Sequence, residues 1–291
     1  MRLPLTTSRR RVLARGVLYG AAVLVGLPLA ASQMLVGTMR QDTLDPWPPW
    51  EETRLPSGDL RLRAWIAEGE EERAAVVVVH GLGDSLDSYV DLGGVLRRRG
   101  HTVVLLDLRA HGGSDGRLTT LGGHEREDVR AALGWLRDRG LGGHGFILFG
   151  TSMGAVTVIR AAAEEPDVRG VVAEAPYDSY RGTVAHHARL FYGLPEWFPL
   201  MPAAIGVAEW RAGFDADDVD AVASARRMTA PLLLVVDGED LRMPEAVVRR
   251  VYDAHPGPKQ LWVADGAPHS GGSHAPGYWE TVLAFLDDQG L

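Results

Sequence analysis

The stretch Gly150-Thr151-Ser152-Met153-Gly154 places a serine between two glycines, after the apolar run Gly145 to Phe149 and before a helical pattern from Met153 to Glu165. A G-x-S-x-G between a strand and a helix specifies a nucleophile on a sharp turn. The turn exposes the hydroxyl, the glycines relieve clashes within it, and the helix N-terminus beyond favours developing negative charge. In a chain with 35 glycines the pentapeptide alone carries little weight, so the flanking strand and helix patterns make the argument. A serine becomes a nucleophile when a histidine takes its proton, and a carboxylate must orient that histidine. With a nucleophile turn of this kind the chain order is serine, acid, histidine.

The acid belongs after a later strand, where Asp237-Gly238-Glu239-Asp240-Leu241-Arg242-Met243-Pro244 offers Asp237, Glu239 and Asp240. Asp240, four residues before the proline that opens the next helix, is the expected acid, with Asp237 the alternative. Gly266-Ala267-Pro268-His269-Ser270 follows the last strand pattern and makes His269 the expected base, with His274 the alternative. An acyl-transfer site also needs two donors for an oxyanion. The N–H of Met153 is one, and the N–H of Leu82, in the turn His80-Gly81-Leu82-Gly83, is the other. Loss of one such donor typically costs about 3 kcal/mol of transition-state stabilisation. His80 precedes the serine and adjoins the oxyanion turn, so it is expected to support the loop.

These residues need a scaffold that delivers them to one edge. Continuous apolar runs recur at Ala75 to Val79, Thr102 to Leu106, Gly145 to Phe149, Gly170 to Ala173, Pro231 to Val236 and Gln260 to Val263. Runs without period-two alternation predict strands buried on both faces, hence a mainly parallel sheet. Helical patterns alternate with them at Glu125 to Arg139, Met153 to Glu165, Pro244 to Ala254 and Tyr278 to Asp288. The result is a three-layer α/β domain over about residues 57–291, with helices on both faces of the sheet. Between Pro176 and Met228 there is no strand pattern but many large apolar residues, among them Phe191, Trp197, Trp210 and Phe214. This predicts a lid-like helical insertion over about 176–228, whose apolar residues either line a substrate pocket or pack the insertion onto the domain.

The series His80 to Gly83, Asp107-Leu108-Arg109-Ala110-His111-Gly112-Gly113-Ser114, Gly150 to Gly154, Gly238 to Pro244 and Gly266 to His269 resembles the α/β-hydrolase superfamily. Within it the chain is similar to the serine-aminopeptidase and monoglyceride-lipase-like branch, including bacterial membrane-tethered members, over about residues 55–290. The resemblance implies a serine hydrolase with a Ser152–His269–Asp240 triad, and a structural role for the Asp107 to Ser114 turn. The chain departs from the pattern in an acid turn one residue shorter than usual and in Pro268 where a glycine usually precedes the histidine.

Before Asp42 the only charged residues are six arginines: Arg2, Arg9, Arg10, Arg11, Arg15 and Arg40. An uncharged stretch runs from Gly16 to Met39. As a helix it covers about 36 Å, enough to cross a hydrocarbon core of about 30 Å. Residues 1–40 therefore read as a membrane anchor or signal segment, with the catalytic domain extracytoplasmic by the positive-inside rule. Two processed alternatives are secretion after cleavage near Ala30-Ala31-Ser32 and a twin-arginine export signal at Ser8 to Leu13. Residues 41–56, with Pro46-Trp47-Pro48-Pro49-Trp50, read as a stiff spacer whose tryptophans suit a membrane interface.

Without the six arginines, 24 basic groups face 38 acidic ones, so the rest of the chain carries −14 and repels nucleic acid. The sequence has no cysteine, which removes disulfides and thiolate sites, and no phosphate loop or dinucleotide fingerprint. No cofactor or metal is expected: His186-His187 are adjacent and do not share a helix face. Glu125 and Asp128 open a helix and are expected to favour its dipole. The chemistry expected is hydrolysis of a small-molecule carboxylic ester through an acyl-enzyme, with lipophilic or acylglycerol esters suggested by the anchor and insertion. Peptidase, thioesterase, amidase and acyltransferase chemistry use the same triad. A peptidase should offer a carboxylate pair to a free N-terminus, and the insertion has few acids before Asp215. A catalytically silent, membrane-tethered binding protein is the reading from another class.

Overall fold

The computed structural model describes residues 25–291 apart from 39, 71 and 196. Its strands are β1 (Glu51–Ser57), β2 (Leu60–Ala67), β3 (Ala75–Val79), β4 (Val103–Leu106), β5 (Phe146–Thr151), β6 (Val168–Glu174), β7 (Leu232–Asp237) and β8 (Lys259–Ala264). They form one sheet in the order β1-β2-β4-β3-β5-β6-β7-β8. From β4 to β8 every neighbouring pair is parallel, while β2 runs antiparallel to both β1 and β4.

The apolar runs are explained by a core on each side of the sheet. Along β3, Ala75, Val77 and Val79 point into one core and Val76 and Val78 into the other. On the first side lie α3 (Glu125–Arg137), α4 (Met153–Ala162), α7 (Ala221–Arg227) and α8 (Glu245–Ala254), contributing Leu133, Ile159, Ala225 and Val248. On the second lie α2 (Val90–Arg98) and α9 (Tyr278–Asp288), contributing Leu96, Val282 and Phe285. Each fully buried Leu, Val or Phe side chain contributes about 1.5–3 kcal/mol. Between β6 and β7 the described chain has no strand of the sheet. It forms α5 (Tyr180–Tyr192), α6 (Leu200–Ala212) and α7.

The sheet begins earlier than residue 57. Residues 51–56, read from sequence as spacer, belong to β1, which pairs with β2 from Glu51–Ile66 to Ser57–Leu60. Leu55 is fully buried, while the polar Glu51, Glu52 and Arg54 suit an edge strand. Trp50 packs into the second core rather than standing free for a membrane. A Cβ on Gly93 would lie 2.7 Å from its ring, so α2 needs a glycine there.

Of the apolar stretch Gly16 to Met39, residues 16–24 and 39 lie outside the described residues, as does the arginine cluster Arg2 to Arg15. Residues 25–36 form a helix, here α1, and no described helix is long and apolar enough to cross a membrane. The helix docks on the domain. Ser32 and Val36 are fully buried, and Arg211 of α6 donates to Ser32 Oγ at 2.8 Å and Gln33 Oε1 at 2.6 Å. Thr119 N–H donates to Val36 O at 2.9 Å, and Thr38 Oγ1 donates to Ala110 O at 2.7 Å.

Glu125 and Asp128 do more than favour a helix dipole. Buried Glu125 accepts from Thr119 Oγ1, Thr120 N–H, Thr120 Oγ1 and Gly122 N–H at 2.6–2.9 Å, stapling the loop before α3. Asp128 accepts from Arg109 Nε at 2.9 Å, Arg109 Nη2 at 2.6 Å and Ser57 Oγ at 2.8 Å. Removing one partner of such a pair strands a buried charge, so Asp128→Ala should destabilise the protein by about 3–5 kcal/mol. Urea denaturation measures this, and a loss below about 1 kcal/mol would mean that Arg109 finds water instead.

Candidate active site

β5 ends at Thr151 and α4 starts at Met153, which leaves Ser152 alone in the turn with φ 55° and ψ −114°. A non-glycine residue in that region is strained, and its surroundings must enforce it. Two close approaches do so. A Cβ on Gly150 would sit 2.4 Å from Gly154 O, and one on Gly154 would sit 2.4 Å from Val79 O. The two glycines of the motif thus let α4 pack against the ends of β5 and β3. Ser152 N–H donates to Glu174 O at 2.8 Å, fixing the turn to β6.

His269 comes from the loop after β8. Its Nε2 lies 3.0 Å from Ser152 Oγ and its Nδ1 lies 2.6 Å from Asp240 Oδ2. Asp240 comes from the turn after β7, its side chain is fully buried, and its Oδ1 accepts from Arg242 N–H at 2.7 Å and Met243 N–H at 3.0 Å. Burial pushes the Asp240 carboxyl up, but the hydrogen bonds from His269, Met243 and Arg242 outweigh it and hold the group below the usual carboxylate range. An ionised Asp240 keeps the His269 proton on Nδ1, leaving Nε2 free to accept from the serine.

The alternatives fall elsewhere. Asp237 Oδ2 accepts from Ser270 N–H at 2.7 Å, Glu239 is exposed, and His274 sits exposed in a 3-10 turn beside Ser273. Asp237, Asp240 and His269 each offer one ligand atom within 4.8 Å, the spacing of a cation site. Both His269 nitrogens already face Ser152 and Asp240, which fits an acid–base relay better than a metal.

The turn after β3 lies against the serine: a Cβ on Gly81 would be 3.5 Å from Ser152 Cβ. Leu82 follows in this turn, with its side chain half exposed, and Met153 N–H opens α4 where no carbonyl four residues back can take it. Fully buried His80 supports the turn. Its Nδ1 is 2.7 Å from Gly81 O, and its Nε2 accepts from Leu108 N–H at 3.1 Å. Burial holds His80 below the ordinary histidine range, as fits a neutral strut. Asp107 is likewise structural, accepting from Leu86 N–H and Gly113 N–H at 2.8 Å.

Side chains of the insertion reach the acid turn. His186 Nε2 meets Leu241 O at 2.8 Å, and Arg242 lies over the Phe191 ring at 5.6 Å. His187, on the same helix, is pushed down to about 4, first by burial and then by the charges of His186, Arg242 and His269. Of the large apolar residues, Phe214 and Met201 pack on the core, whereas Phe191, Tyr192, Trp197 and Trp210 are exposed. Packing onto the domain, one of the two roles expected of the insertion's apolar residues, is thus seen for Phe214 and Met201. A groove of about 520 Å³, lined by Arg126, Arg160, Trp210 and Phe214 among others, does not include Ser152 or His269.

Residues 70–205 match the family described as "Serine aminopeptidase, S33". An uncharacterized protein of Bacillus subtilis (strain 168), YqkD, is 29% identical over 221 residues, covering 73% of this chain and 71% of that one. The esterase Pf2001 of Pyrococcus furiosus superposes with a TM-score of 0.69 at 25% identity, over 87% of this chain and 98% of that one. Est1E from Butyrivibrio proteoclasticus, solved with ferulic acid bound, shares the fold at a TM-score of 0.65 and 18% identity, over 81% and 98% of the two chains.

Proposed function

The chain is a serine hydrolase of the α/β-hydrolase fold, and from that premise we propose that it cleaves carboxylic esters with Ser152 as nucleophile, His269 as general base and Asp240 as orienting acid. One observation carries the reading: a single imidazole sits 3.0 Å from Ser152 Oγ through one nitrogen and 2.6 Å from Asp240 through the other. Ser152 Oγ attacks the carbonyl carbon while His269 Nε2 takes its proton. The N–H groups of Leu82 and Met153 stabilise the oxyanion. Collapse of the tetrahedral species expels the alcohol, protonated by His269, and leaves an acyl-serine. Water, deprotonated by His269, then releases the acid.

The preferred substrates in this proposal are lipophilic esters held at a membrane. The support is the uncharged run from Gly16 onward, the outward Val25, Leu27, Leu29 and Met34 of α1, and exposed Phe191, Tyr192 and Leu241 near the acid turn. Hydrolysis of p-nitrophenyl esters from acetate to palmitate, with Ser152→Ala as control, tests it. Rising kcat/KM with chain length is the expected result, and strict preference for acetate would remove the lipid substrate. In the same proposal the N-terminal segment tethers the domain on the extracytoplasmic side. The full chain should then sediment with membranes and resist carbonate extraction. A soluble product whose N-terminus falls near residue 32 would establish secretion after cleavage instead.

A further inference from the structure

Glu174 ends β6 and Asp237 ends β7, so two neighbouring parallel strands deliver two carboxyls to one place. Both residues are buried, with 3% and 2% of their surface exposed, and their carboxyls flank the same backbone position, Gly272. Neither takes part in the chemistry proposed above, yet between them they hold the three segments that carry Ser152, Asp240 and His269. Glu174 O accepts from Ser152 N–H at 2.8 Å, and Asp237 O accepts from Asp240 N–H at 3.1 Å. Their side chains take the base loop: Asp237 Oδ2 accepts from Ser270 N–H at 2.7 Å, and Glu174 Oε1 accepts from Gly272 N–H at 2.9 Å. Gly272 is pressed against both, since a Cβ there would lie 2.6 Å from Asp237 Oδ1 and 3.3 Å from Glu174 Oε1. Ser270, held with φ 62°, is the strained link between His269 and this grip.

Two ionised carboxylates only accept hydrogen bonds, so two buried side by side repel. Asp237 Oδ1 is buried with no donor among the described residues, and an unmet buried acceptor is costly. One proton on Glu174 removes the repulsion and satisfies that oxygen together. We propose that Glu174 and Asp237 share one proton, that the protonated pair clamps the His269 loop against Ser152, and that its loss ends activity on the alkaline side. The pair is a positioning device, and the inference rests on the triad reading given above.

The groups facing the pair are Asp240 and His269 on the acid and base loops, Tyr89 at the end of a 3-10 turn, and Tyr278 at the start of α9. Asp240 is held ionised and adds repulsion, while burial keeps both phenols neutral. Burial first, then the neighbouring Asp237 charge, push Glu174 up to about 8. Burial is also the main cause that pushes Asp237 up to about 6. A carboxyl raised in the folded state adds stability that is complete below its ordinary value of 4.5 and is lost as pH rises through about 8.

The test is the rate at which a fluorophosphonate labels Ser152 as a function of pH, for the full chain and for Glu174→Gln. The glutamine N–H₂ donates to Asp237 without a proton to lose, and its oxygen still accepts from Gly272. Wild-type labelling should fall about tenfold or more between about pH 8 and 9.5, and Tm should decline between about pH 5 and 8 and level off above, while both stay flat in Glu174→Gln. Asp237→Asn supplies the amide from the other side and should flatten the decline in the same way. An alkaline decline in both variants equal to that of the wild type, or none in the wild type, overturns the clamp while leaving the triad standing. A wild type that is labelled at no pH overturns the triad reading itself, and the clamp with it.

Discussion

Ser152→Ala should lower kcat for an activated ester by about 10⁵–10⁶-fold, and Ser152→Ala/His269→Ala should be scarcely slower than either single variant. The magnitude follows from the two parts acting as one unit. His269 Nε2, 3.0 Å from Ser152 Oγ, has no proton to take once the hydroxyl is gone, and a serine without the imidazole stays protonated. In the proposed mechanism a residual rate about 10³–10⁴-fold above that in water is left to the N–H groups of Leu82 and Met153 and to substrate binding. The comparison is clean because alanine inherits the same strained backbone at φ 55°, while the close approaches that enforce it belong to Gly150 and Gly154. A Tm within a few degrees of wild type identifies a chemical loss rather than a folding one. Ester hydrolysis within tenfold of wild type in Ser152→Ala would assign the nucleophile elsewhere.

The elements that set this geometry differ in how plainly the sequence carries them. Five of the six parallel strands, β3 to β7, are almost wholly buried and the edge strand β8 is partly so; they read as apolar runs, and all six occur where those runs lie. β1 and β2 escaped notice because they are an edge hairpin. Glu51, Glu52, Arg54, Arg61 and Arg63 break up their apolar residues, and only the pairing of Glu51–Ser57 with Leu60–Ala67 makes them sheet. Ser152 was legible because its motif carries its own strand and helix. His269 and Asp240 were legible through order and loop position. Glu174 was not, because it ends a strand like any other acid until β7 brings Asp237 beside it. His187 depends in the same way on how α5 folds back over the acid turn, which no local spacing encodes.

Asp240→Asn is expected to cost about 10⁴-fold in kcat, whereas Asp237→Asn should cost less than about tenfold near neutral pH. The first value follows from which way the new amide faces. Asp240 Oδ1 accepts from Arg242 N–H at 2.7 Å and Met243 N–H at 3.0 Å, so the asparagine oxygen keeps that position. Its N–H₂ is then left where Oδ2 stood, 2.6 Å from His269 Nδ1. That nitrogen must now accept, which moves the imidazole proton to Nε2 and turns the base away from Ser152 as a donor. At Asp237 the same logic gives the opposite outcome. The amide oxygen stays with Ser270 N–H, and the N–H₂ takes the place of the unpartnered Oδ1 facing Glu174, where a donor is wanted. Asp240 also carries the acid-side dependence: its depressed carboxyl contributes stability that is complete above its ordinary value of 3.8 and is lost as pH falls through its lower folded value. Equal losses in the two variants, measured as kcat at pH 7 on one ester, would mean that His269 takes its orientation from the carboxyl pair as a whole rather than from Asp240.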